Sequence, residues 1–77
     1  MNKSRRKELE KAIELLEQAS DIIDSAKVDE EDAYDSLPAG IQDSERGETM
    51  QEAISSLEDA LDNLESVTDA VQAAIDV

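Results

Sequence analysis

Seventy-seven residues with 7 Lys or Arg against 21 Asp or Glu carry a formal net charge of −14. That length allows one domain with a small core, and the absence of Cys and His removes disulfide bridging, thiolate chemistry, zinc-finger spacing and imidazole catalysis together. The charge opposes direct contact with nucleic acid phosphates and suits a partner with a basic surface, and it also serves plain solubility.

Tyr34 is the only aromatic residue, so the core falls to Leu, Ile, Val and Ala, a composition suited to helix-on-helix packing. The polar, basic start from Met1 to Lys7 is not followed by the apolar stretch of a signal peptide. No aliphatic run approaches the length that spans a bilayer. A cytoplasmic location is expected, with no membrane contact.

The first helix is expected over about residues 4–35, with Ser4 as its N-cap. Its apolar seam runs Leu9, Ile13, Leu16, Ser20 and Ile23, weakens at Lys27 and Glu30, and resumes at Tyr34 and Leu37. Steps alternating between three and four residues make a helical seam that needs a partner helix. Ala12, Ala19, Ala26 and Ala33 edge it every seven residues. Leu15 and Ile22 lie beyond that edge, so the apolar face is wider than one neighbour covers. They are read as an oligomer contact with another copy of the chain. Lys27 is placed to pair with Glu30 or with the partner helix.

Asp29 to Asp32 and Asp35 crowd acid at a helix C-terminus, where the macrodipole disfavours it, so this end should fray unless something compensates. Pro38 ends the helix. The connection covers about residues 36–46, with Gly40 as a permissive backbone position and Leu37 and Ile41 folding back to plug the helix ends.

The second helix is expected over about residues 47–76, capped by Asp43 or Ser44. Its seam is the most regular in the chain: Met50, Ile54, Leu57, Leu61, Leu64, Thr68, Val71 and Ile75, edged by Ala53, Ala60, Val67 and Ala74. Gly47 is unexpected inside a helix, where it costs about 1 kcal/mol against Ala. Either the helix starts after it or something approaches its backbone closely. The fold class is therefore all-α: a single domain, residues 1–77, forming an antiparallel two-helix hairpin that assembles into a homo-oligomeric helical bundle. That packing sets the basic residues 3–11 beside the acidic end of the second helix, with Arg5, Arg6 or Lys7 near Glu65, Asp69 or Asp76.

No catalytic or metal motif is present. Counting an EF-hand loop from Asp29 puts Ala33 and Tyr34 where an oxygen ligand and a Gly belong. No nucleophile lies beside a base, and a thin hairpin has no cleft to perturb a carboxylate pair. The expectation is a non-enzyme without cofactor or metal. Two surfaces remain. Glu58, Asp59, Asp62, Glu65 and Asp69 form an acidic stretch suited to a basic partner. Gln42, Ser44, Arg46 and Gly47 have the composition of a small anion or phosphate site at a helix N-terminus, although Arg46 pairing with a nearby acid and Ser44 acting as a cap is the commoner arrangement.

Tyr34-Asp35-Ser36-Leu37-Pro38, then Gln42, then Ser44-Glu45-Arg46-Gly47-Glu48, followed by a helix rich in Ala, Ile, Leu and Glu, resembles a group of small acidic proteins encoded by phages and mobile elements of Gram-positive bacteria. The resemblance implies a phage or prophage origin, a place in the host cytoplasm and an accessory role, and it transfers no catalytic residue. Three functions are compatible with these observations. One is an interaction protein that inhibits a host defence protein through its acidic helical surface. Another is an oligomeric binder that sequesters a nucleotide-type signal through the Gln42–Gly47 connection. The last is a structural or assembly element.

Overall fold

A computed structural model describes all 77 residues and contains helices and no strand. The elements are α1 (Lys3–Asp35), α2 (Ala39–Gln42) and α3 (Glu45–Asp76). The two long helices pack along one another into an extended pair of 58 × 15 × 12 Å. Arg6 meets Val77, Lys27 meets Glu58 and Tyr34 meets Gln51. Later residues of α1 thus touch earlier residues of α3.

The N-cap of α1 is Asn2, not Ser4. Asn2 Oδ1 accepts from the Arg5 amide at 2.8 Å, and the Asn2 carbonyl accepts from Arg6 at 3.2 Å. A capping oxygen at Asn2 lets the helix start earlier and leaves Ser4 inside its first turn. The expected pairing of the basic N-terminal residues with carboxylates of α3 is also absent. Arg6 Nη2 instead donates to the main-chain oxygen of Val77 at 2.9 Å. Arg6 stands seven residues before Ile13 on the seam, so it reaches over the last turn of α3, whose carbonyls lack partners within the helix.

Every seam position of both helices is at least partly covered, yet only Gly47 and Ile75 are buried. One partner helix shields one side of a seam and leaves its margins in water. Lys27 is turned into the joint, with its side chain 21% exposed, and pairs with Glu31 at 3.7 Å and with Glu58 of α3 at 3.9 Å rather than with Glu30. Lys27→Glu would put a third carboxylate between those two. A loss of about 1 kcal/mol is expected at low salt, the scale of a partly exposed pair. Thermal melts in 1 M NaCl should recover much of it, since the screening length there is about 3 Å. A loss that ignores salt would mean packing, not charge, sets the Lys27 contribution.

The acid-rich end of α1 is closed by donors. The Asp32 carbonyl accepts from the Ser36 amide at 3.1 Å and from Ser36 Oγ at 2.8 Å. The Tyr34 carbonyl accepts from the Leu37 amide at 3.0 Å and from Gln42 Nε2 at 3.1 Å. These bonds compensate the carbonyls that the macrodipole argument left open. After Pro38 the connection forms the short helix α2, which packs on α3. Leu37 turns inward, whereas Ile41 remains 39% exposed. The expected plug is therefore half made.

Gly47 lies inside α3, and the reason for it is a close approach. A Cβ there would stand 2.0 Å from the Gln42 carbonyl oxygen. Gly40 needs no special freedom, because no glycine has positive φ and nothing lies within 4 Å of its Cβ position.

Candidate functional site

Two shallow grooves follow the joint between α1 and α3. Glu17, Asp21, Glu65 and Asp69 surround the first, with Ser20, Leu61 and Thr68 at its floor. Glu31, Asp35 and Glu58 surround the second, with Tyr34, Gln51, Ile54 and Ser55. Each acid stands three residues before or one residue after a seam position such as Ser20, Tyr34, Leu61 or Thr68. Both grooves therefore occupy one side of the pair, and that side is acidic in both helices. Its structural ties are the Lys27 ion pairs and a hydrogen bond from Gln51 Nε2 to the Tyr34 hydroxyl at 2.8 Å.

Of the acids expected at a partner surface, Glu58, Glu65 and Asp69 line these grooves. Asp62 shares the stripe of Asp69, seven residues away, and is exposed. Asp59 points from the outer back of α3 and is not part of the groove lining. The α1 acids Glu17, Asp21, Glu31 and Asp35 complete the surface, and sequence reasoning confined to the second helix missed them. The signal was available: they sit at the same offsets from the α1 seam as Glu65 and Asp69 do from that of α3. No group of three acids is arranged to hold a metal ion.

The residues of the connection do not converge on one point. Gln42 Nε2 donates to the Tyr34 carbonyl and Ser44 Oγ to the Ile41 carbonyl. Ser44 occupies the N-cap position of α3 without a side-chain cap bond. The Gly47 backbone is covered by Gln42. Arg46 is exposed and enters no ion pair.

Opposite the grooves lies the Ala-edged side. Leu15, Ile22 and Val67 are 53%, 71% and 46% exposed there. No helix is long and apolar enough to cross a membrane. Comparisons with protein-family models, curated proteins and solved structures return no match to this chain.

Proposed function

We propose that this chain is a non-enzymatic, phage-type accessory protein: an antiparallel helical hairpin, self-associated, that binds a basic host protein through its acidic side in the host cytoplasm. The observation that carries this reading is the gathering of Glu17, Asp21, Glu65 and Asp69 from both helices around one groove with no basic residue in its lining. Carboxylates spaced along two parallel ridges present a field that steers and registers a cationic surface. A host defence protein whose basic surface normally meets an anionic polymer has the matching chemistry.

Immobilised protein is expected to retain a basic protein from a bacterial lysate in low salt. Glu65→Lys/Asp69→Lys should release it while the helical circular dichroism stays unchanged, since both positions are exposed. Asp59→Lys, outside the groove, should retain it. Equal retention by all three proteins would remove the groove as the binding surface. The nucleotide-sequestering alternative has less support, because the side-chain donors of Gln42 and Ser44 are already used on main-chain carbonyls.

A further inference from the structure

The side opposite the grooves carries charge only toward its ends, at Arg5, Glu8 and Asp29 of α1 and Arg46 of α3, and these four cancel. Its stripes hold Ala12, Leu15, Ala19 and Ile22 on α1, and Ala60 and Val67 on α3. Beyond Arg46, the α3 stripes of this side, at residues 53, 60, 67 and 74 and at 56, 63 and 70, carry no ionisable residue. A chain of net charge −14 that leaves one long side neutral has kept that side for a surface that is itself not basic. Another copy is such a surface.

The area agrees with this. A compact monomer of 8.4 kDa is expected to expose roughly 4,600 Å², whereas this helix pair exposes 5562 Å². The surplus is close to the ~800 Å² that one partner contributes to a standard interface.

Charge also selects the orientation. Glu8, Leu15, Ile22 and Asp29 recur every seven residues on one stripe of α1. Reflecting that stripe about Gln18–Ala19 matches Leu15 of one copy with Ile22 of the other. It also lays residues 3–11, with five basic and two acidic side chains, over residues 26–34, with one basic and four acidic. Summed over each segment, net +3 then lies against net −3 at both ends, while the stripe residues Glu8 and Asp29 meet an acid in either direction. The same-direction arrangement sets each end against its own sign, which opposes association.

We propose that a second copy covers this side of zero net charge, running in the opposite direction, with the two-fold axis passing near Ala19 to close a four-helix bundle. This rests on the self-association in the reading above but not on its acidic binding surface.

The chain has no Cys, so introduced thiols report cleanly. Light scattering is expected to give twice 8.4 kDa for the wild type, and one chain mass for Leu15→Lys/Ile22→Lys. Under mild oxidation a mixture of Glu8→Cys and Asp29→Cys proteins should form a disulfide-linked dimer, while neither variant alone should link. Self-linking by either variant alone would overturn the orientation and leave self-association standing. A two-chain mass without any linkage would overturn the choice of face, as would a two-chain mass for Leu15→Lys/Ile22→Lys. A wild-type mass of one chain at tens of micromolar would remove self-association itself and leave the groove test untouched.

Discussion

Leu61→Asp is expected to unfold the helix pair. Leu61 lies mid-seam in α3 at the floor of the groove ringed by Glu17, Asp21, Glu65 and Asp69. The substitution removes apolar contact worth about 1 kcal/mol for a half-buried Leu, taking half of the full-burial value. It also adds a fifth carboxylate amid four at the joint, where partial desolvation amplifies repulsion. A chain of this size holds roughly 4–12 kcal/mol of stability. Only two of its residues are buried, which puts it toward the low end of that range. The expected result is a fall in Tm of more than ~15 °C, with part of the helical signal at 222 nm restored by 1 M NaCl. A melt within a few degrees of wild type would show that the seam is not what holds the pair together.

Gly47→Ala should destabilise the protein although Ala is the better helix former. Propensity favours Ala by about 1 kcal/mol. Against it stands a Cβ placed 2.0 Å from the Gln42 oxygen and 2.6 Å from its carbonyl carbon. Both are backbone atoms, so no side-chain rotation relieves the overlap and α2 must move off α3. A net loss of about 2 kcal/mol, on the order of 10 °C in Tm, is expected. Gly40→Ala is the control. It lies in α2 with open space around it, and a gain of about 0.5 kcal/mol is expected from the smaller entropy of the unfolded chain. Matching melts for the two variants would mean the contact between α2 and Gly47 contributes nothing.

Much of this architecture is legible in the order of the residues. The alternation of three and four residues marks one face of a helix, because 3.6 residues per turn admits no other reading of so long a series. Each seam residue from Leu9 to Leu37 and from Met50 to Ile75 is at least partly covered. Gly47 is identifiable as a close approach or a helix boundary from its propensity cost alone. The failures are all at ends. Asn2 rather than Ser4 caps α1, and Arg6 meets the main-chain oxygen of Val77 rather than Glu65, Asp69 or Asp76. Several capping residues lie within reach of each helix start, and their energies differ by less than ~1 kcal/mol, too little for pattern to rank them. The short helix α2 escapes a reading by pattern because four residues carry no periodicity.

The candidate site divides in the same way. Its acidity is a matter of composition, and the stripe through Asp62 and Asp69 follows from spacing within one helix. Which α1 acids join it depends on the register between the helices, and that is a tertiary quantity. Lys27 to Glu58 and Tyr34 to Gln51 define that register, and it brings Glu17 and Asp21 opposite Glu65 and Asp69. Periodicity along one helix determined which face each helix buries, because that face is set by local geometry. Only the packing of one helix on the other decided that the acids of the grooves gather on one side and the Ala-edged stripes on the opposite one. A helix has no sides of its own beyond its seam until a second helix lies against it.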